Sequence, residues 1–299
     1  MKAEKLYLEL KEEFVAYCLK HRSEVDDSFL YEKDFENFIP GDENPTYIIR
    51  EDGKIIAAAS LIVDDYHKRG RKGRFRIFYS ERRDPQIYSI LLEEIRKHTE
   101  GLDKVFLFVP FSNKELEEVI KELHFSAERY VFLLVCEVKE TVPCSLPVGY
   151  TLKTFKPDRD EEDWCYIRNT AFANLKGNST PITTDMVHKM VSEAEYLEGG
   201  LIFLLHEDKP IGIVRGARDE YEGEPCMNIG PIAVLPAHQG KGLGKQLLRT
   251  AVEFAGKMNF KKTMLCVNAD NERAKELYLK EGFVQTEGVT AYEYLLKET

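Results

Sequence analysis

The run from Met227 to Phe254 constrains this chain more than any other feature. An apolar stretch, Met227-Asn228-Ile229-Gly230-Pro231-Ile232-Ala233-Val234-Leu235-Pro236, leads into His238-Gln239-Gly240-Lys241-Gly242-Leu243-Gly244-Lys245. Beyond it Leu243, Leu247, Leu248, Ala251, Val252 and Ala255 fall on one helical face. The order is strand, glycine loop, helix. Glycines at alternate positions let a backbone approach a ligand closely, and the unpaired N–H groups at a helix N-terminus favour a phosphate or pyrophosphate. Lys241 and Lys245 add positive charge to a chain whose formal net charge is −10. A phosphate-bearing ligand is the direct inference, and a turn that merely joined strand to helix would not need this glycine density with two lysines.

Spacing then removes the two common nucleotide loops. A Walker loop needs a glycine five residues before its Gly-Lys pair and a Ser or Thr after it. Around Gly244-Lys245 those places hold Gln239 and Gln246, and around Gly240-Lys241 they hold Leu235 and Gly242. The dinucleotide pattern G-x-G-x-x-G fails as well, because Lys245 stands where its third glycine belongs.

The acidic balance opposes non-specific binding to nucleic acid or anionic lipid and favours cationic ligands such as amines. No apolar run approaches the length that crosses a bilayer, and the charged N-terminus has no signal core, so a cytoplasmic location is expected. The cysteines, Cys18, Cys136, Cys144, Cys165, Cys226 and Cys266, are scattered without ligand spacing. They read as buried thiols of a reducing compartment, and no metal site is expected.

The remaining elements repeat. In the first half, helices over residues 5–22 and 29–38 precede a hairpin, Tyr47–Arg50 and Ile55–Val63, closed by Glu51-Asp52-Gly53-Lys54. A strand (74–79), a helix (85–97), a strand (104–109), a helix (113–123) and a strand (129–138) follow. In the second half a strand (150–155) and helices over 161–175 and 184–195 precede the hairpin 201–205 and 211–217, closed by Glu207-Asp208-Lys209-Pro210. The two acidic turns, and the later pair His124-Phe125 and Gly282-Phe283, are both offset by about 157 residues. The class is mixed α/β, built of two diverged copies of one fold, 1–143 and 144–299. Between them Val142-Pro143-Cys144-Ser145-Leu146-Pro147 suits a linker.

The segment Gln239-Gly240-Lys241-Gly242-Leu243-Gly244, after a strand ending Val234-Leu235-Pro236, resembles the Q/R-x-x-G-x-G/A acetyl-CoA loop of the GNAT acetyltransferase superfamily. Asn271-Glu272-Arg273-Ala274-Lys275-Glu276-Leu277-Tyr278-Leu279-Lys280-Glu281-Gly282-Phe283 is similar to that family's N-x-x-A-x-x-L-Y-x-K-x-G-F segment at every named position. The resemblance covers roughly residues 149–297 and the first half only in outline. It implies two tandem GNAT-like domains and an acetyl-CoA-dependent N-acetyltransferase acting on a small-molecule or peptide amine. It implies backbone pairing of Ile232, Ala233 and Val234 with the pantetheine arm. It also implies pyrophosphate binding by N–H groups from Gln239, Gly240, Lys241, Gly242, Leu243, Gly244 and Lys245, a hydrogen bond from Asn271 to the cofactor arm, and proton donation by Tyr278 to the departing thiolate.

A general base is left open. Asp219, Glu220, Glu222 and Glu224 crowd the turn before the cofactor strand, which carries Asn228 where many members of the family have a Glu. His238 reads as structural or solvent-facing rather than catalytic. In the first half the loop position holds Ser80-Glu81-Arg82-Arg83-Asp84-Pro85-Gln86, without glycine, and Ile120 stands where the tyrosine belongs. That half is expected to be a degenerate copy in a two-domain member of the superfamily. The alternative function is a non-catalytic CoA or acyl-CoA-binding or regulatory module, a chain that kept the loop without the chemistry.

Overall fold

The computed structural model describes residues 1–139 and 144–296. Val142 and Pro143 of the expected linker lie outside the described residues, while Cys144–Pro147 have no regular structure. In chain order the elements are β1 (Glu4–Lys5), α1 (Lys11–His21), α2 (Glu32–Glu36), β2 (Thr46–Glu51), β3 (Lys54–Ile62), α3 (Asp65–Arg69), β4 (Lys72–Ser80), α4 (Pro85–Arg96), β5 (Lys104–Pro110) and α5 (Lys114–Glu122). Then come β6 (Ser126–Glu137), β7 (Tyr150–Thr154), α6 (Glu161–Phe172), α7 (Thr184–Met190), β8 (Tyr196–His206), β9 (Lys209–Tyr221), β10 (Glu224–Val234), α8 (Leu243–Lys257), β11 (Lys262–Asn268), α9 (Glu272–Lys280) and β12 (Val284–Leu295).

Both expected hairpins form, and for a local reason. Asp52 and Gly53 in one turn and Glu207 and Asp208 in the other all take positive φ, the backbone that two-residue hairpin turns require. The first helix starts later than its periodicity suggests, because Glu4 and Lys5 pair with Ile48 and Tyr47 as an edge strand. Helix α7 ends at Met190, five residues short of the expected span.

The chain divides into two compact units whose segments interleave. One is Met1–Val131 together with the segment that starts at Glu287, and the other is Phe132–Thr286. In the first unit the strand order is β1-β2-β3-β4-β5-β12, and in the second it is β6-β11-β10-β9-β8-β7. Strand β12 pairs antiparallel with β5 from Val289↔Pro110 to Leu295↔Lys104. Tyr292 is buried in the first unit's core and Lys104 forms an ion pair with Glu293, so packing draws the end of the chain away from the half in which the sequence analysis placed it. The first core gathers Phe14, Leu30, Ile48, Leu61, Ile77 and Leu91. The second unit has a core on each face of its sheet, one beneath α8 with Leu204, Val214, Leu247 and Leu265, the other beneath α6 with Trp164, Phe203 and Ile213.

Candidate active site

In the second unit β10 keeps an antiparallel partner in β9 along its length, with Ile232↔Val214, Ala233↔Ile213 and Val234↔Gly212 near its end. Its parallel pairing with β11 covers only Met227↔Thr263 and Asn228↔Met264. A register shift between Ile229 and Ile232 bends β10 at that point. Past Asn228 the two strands part, and the β10 backbone from Ile229 to Val234 faces a gap. Unpaired strand backbone is ready to accept an extended ligand as a further strand. Ile232, Ala233 and Val234 lie on the stretch of β10 that has no β11 partner, and within it Val234 O is already taken by the Gln239 side chain.

The glycine loop closes the far end of that gap. Gly240 and Gly242 have φ of 81° and 75°, a conformation costly to any residue with a Cβ. Gly242 is the N-cap of α8 and offers no side-chain cap. Among the described residues the N–H groups of Gly240, Lys241, Gly242, Leu243 and Gly244 have no backbone partner. Those of Gln239 and Lys245 are taken by Pro236 O and Gly242 O. The donor set expected from the sequence thus narrows at both ends. Gln239 acts through its side chain, whose Nε2 donates to Val234 O at 2.9 Å and ties the loop to the strand end. Leu243 contributes only backbone, since its side chain is buried in the core beneath α8.

The two lysines separate as well. Lys245 Nζ lies 2.9 Å from Glu281, which also binds Arg249 at 2.6 Å. Burial raises the Glu281 carboxyl, but its bonds to Arg249 and Lys245 outweigh that and hold it below the usual range. The charge of Lys245 is thereby neutralised within the protein. Lys241 stays exposed without a salt bridge among the described residues. A residue that the sequence analysis did not single out joins it: a Cβ at Gly240 would stand 3.7 Å from Arg273 Nη2, so the exposed Arg273 of α9 approaches the loop. Its motif position is unspecified, an x, which is why spacing could not find it.

Helix α9 supplies the other two expected residues. Asn271 is its N-cap, with Oδ1 accepting from Ala274 N–H at 3.3 Å. Its Nδ2 has no protein acceptor among the described residues and is free to donate to a ligand. Tyr278 is half-buried, with its ring 6.1 Å from that of Phe283 and its hydroxyl without a hydrogen-bond partner among the described residues. Burial pushes the phenol up to about 12. It is protonated at neutral pH and able to act as an acid.

On the α6 side of the sheet, Asn228 Nδ2 donates to Asp219 Oδ2 at 2.9 Å, and Asn268 Nδ2 donates to Lys176 O at 3.0 Å. Cys266 is exposed in β11, contrary to the expectation of buried thiols, because β11 has lost its β10 neighbour there. His238 packs its ring 5.5 Å from His206. Burial, with Lys241 and His206 adding to it, lowers its pKa, which favours the neutral ring beside the loop. Asp158, Glu161 and His188 bring three donor atoms within 4.8 Å of one another at the start of α6, a clustering their spacing in sequence did not suggest.

Residues 171–283 match the acetyltransferase (GNAT) family. The second unit belongs to that family. The chain is 27% identical over 220 residues to a mycothiol acetyltransferase of Renibacterium salmoninarum, covering 71% of this chain and 64% of that protein. It is 30% identical over 155 residues to one of Paenarthrobacter aurescens, covering 51% of this chain and 48% of that protein. The chain thus spans between about half and two thirds of these relatives' length. The GNAT fold extends over both units. A GCN5-related N-acetyltransferase from Sphaerobacter thermophilus matches 99% of this chain and 96% of its own with a TM-score of 0.72 at 16% identity. A tandem GNAT protein from the clavulanic acid biosynthesis pathway matches 100% and 99% with a TM-score of 0.68 at 12% identity.

Proposed function

We propose that the chain is an acetyl-CoA-dependent N-acetyltransferase that acetylates a small-molecule amine at one site, in the second unit. The observation that carries this is the continuous path from the N–H groups of Gly240–Gly244, along the unpaired edge of β10, to the point where β10 and β11 part. Gly240, Gly242 and the N-terminus of α8 fit a pyrophosphate, with Lys241 and Arg273 as charge partners. Ile232, Ala233 and Val234 with Asn271 fit the amides of a pantetheine arm. Tyr278 would give its proton to the departing thiolate, and the retained, unpartnered phenol favours an enzyme over a binding module. A small-molecule acceptor rather than a peptide is supported by the relatives, which are mycothiol acetyltransferases. The first domain is a degenerate copy that carries no acetyl-CoA of its own.

The test is thiol release from acetyl-CoA with glucosamine, spermidine and an alanyl peptide as acceptors, beside a calorimetric titration of the whole chain. Release with one of the amines and one equivalent of acetyl-CoA per chain are expected. Binding without release from any acceptor would leave the module reading, and two equivalents would overturn the degenerate first domain.

A further inference from the structure

We propose that Asp219 is the general base of this reaction and that Asn228 is the positioning residue that holds it, the carboxylate standing one strand away from the cofactor strand. This rests on the acetyltransferase reading above. In an antiparallel pair, residues directly opposite share a face of the sheet. The pairs Cys226↔Asp219 and Asn228↔Ala217 therefore put Asp219, Cys226 and Asn228 on one face. That is the α6 face, since the alternate residues Met227 and Ile229 are buried beneath α8. Asn228 is also the last residue of β10 paired to β11, so it stands at the apex where the strands part. An acyl group carried by an arm lying in the gap arrives beside Asn228.

The hydrogen bond at that apex has a fixed sense. An ionised carboxylate only accepts, so Asn228 must present Nδ2 to Asp219, at 2.9 Å, and its Oδ1 is left to accept from an acceptor's N–H or a water. The second oxygen of Asp219 accepts the Glu220 N–H at 2.8 Å, which orients the carboxylate from the other side. The three other carboxylates of the turn are placed differently. Glu222 is paired with Lys262 at 3.1 Å, Glu220 lies opposite Pro225 on the far face, and Glu224 is opposite Tyr221, beyond Cys226 from the apex. The charged and titratable groups around Asp219 are Glu220 beside it, the Cys226 thiol, which burial and then the charge of Asp219 push up to about 12, and the Glu222–Lys262 pair with Lys262 over the Tyr221 ring. No cation in that set is bonded to Asp219, so it remains free to take a proton.

The step balances. An ammonium acceptor gives one proton to Asp219, directly or through one water at Asn228 Oδ1. Its nitrogen lone pair then forms the N–C bond as the C–S bond breaks, the sulfur takes the Tyr278 proton, and the second proton lost by nitrogen returns the phenol to its neutral form. The carboxylate releases its proton to solvent.

The experiment is Asp219→Asn, measured with the accepted amine of the panel above from pH 6 to pH 10. The side chain keeps its size, so acetyl-CoA affinity should be unchanged while kcat falls about 10²-fold at neutral pH. The loss should shrink as pH rises toward the amine's own pKa, where solvent supplies free amine. Asn228→Ala should give a smaller loss with the same pH trend. An Asp219→Asn enzyme with wild-type kcat, or one with an equal loss at every pH, overturns the proposal while leaving the acetyltransferase reading intact. A wild-type chain that binds acetyl-CoA and acetylates nothing fails the parent reading and this one with it.

Discussion

Asn113 and Asn271 occupy the same place in the two copies of the motif, and they use their side chains differently. Both cap a helix through Oδ1, Asn113 accepting from Leu116 N–H at 3.0 Å and Asn271 from Ala274 N–H at 3.3 Å. In the first unit the amide nitrogen is already engaged, donating to Glu24 O at 2.6 Å, whereas in the second it has no acceptor among the described residues. The same contrast runs along the whole site. Strands β4 and β5 also part, after Arg74↔Phe106, but the chain's own residues cross that opening. Glu24 takes a hydrogen bond from Tyr79 as well as from Asn113, Asp26 pairs with Arg74, and the Arg74 guanidinium lies between the rings of Phe29 and Phe108 at 4.5 and 4.8 Å.

The helix termini repeat the lesson. Helix α4 begins with Pro85, which has no N–H, and is capped by Asp84, whose carboxylate accepts from Gln86 N–H at 2.9 Å. The neighbouring charges are paired too: Glu81 with Lys20, Arg82 with Glu51 and Arg83 with Glu115, and His21 Nε2 is also within hydrogen-bond distance of Glu81. A protein carboxylate thus fills the anion position that Gly242 leaves open at α8. One fold leaves the helix-start N–H groups without a backbone partner in one unit, among the described residues, and caps them internally in the other.

That comparison is broken most directly by Gly242→Asp, which copies the first unit's self-capped helix end into the second. Nothing lies within 4 Å of a Cβ there, but the φ of 75° strains any residue with a side chain, so the folded state of the variant is checked first. The new carboxylate would take the helix N–H groups and repel phosphate, so acetyl-CoA affinity should fall by about 100-fold or more, roughly 3 kcal/mol. Calorimetry on the folded variant reads it, and unchanged binding would remove the loop from the site. Tyr278→Phe probes the residue that Ile120 replaces in the first unit. It should lower kcat by about 10²-fold with acetyl-CoA affinity retained, and an unchanged kcat under conditions where chemistry limits the rate would reduce Tyr278 to packing.

Arg273→Gln should weaken acetyl-CoA binding by about tenfold, less at high salt, because an exposed charge-assisted contact is screened. A titration with dephospho-CoA beside CoA separates a pyrophosphate contact from one to the 3′-phosphate, and equal affinity in wild type and variant at low salt would sink the assignment. The smallest effect is expected for Asp84→Ala. Loss of this cap should cost about 1 kcal/mol in denaturant unfolding and leave acetyl-CoA affinity unchanged. A change in affinity would mean that the first unit takes part in binding after all.

Much of the architecture was legible because it is written in local patterns. The acidic hairpin turns, the apolar faces of α4 and α8 and the asparagine caps all depend on neighbours a few residues away. So did the loop, since glycine density beside a helix start has few other uses. The narrowing of its donors to Gly240–Gly244 was not legible, because it depends on Gln239 and Lys245 N–H groups finding carbonyls in the folded turn. The neutralisation of Lys245 by Glu281 and the approach of Arg273 to Gly240 bring together residues far apart in the chain, and spacing carries no trace of either.

The sequence by itself determined that two copies of one α/β unit exist and that only the second carries a glycine loop at its helix start, because glycine and proline act on the conformation of the residues that carry them. Tertiary structure decided which groups around that backbone stay free. It drew the strand from Val289 to Leu295 into the first core, carried Glu24 to Asn113, and set Asn228 against Asp219. Each of these is a choice among partners distant in sequence, settled by burial and hydrogen bonding in the folded chain, where a polar group must find a partner once water is excluded.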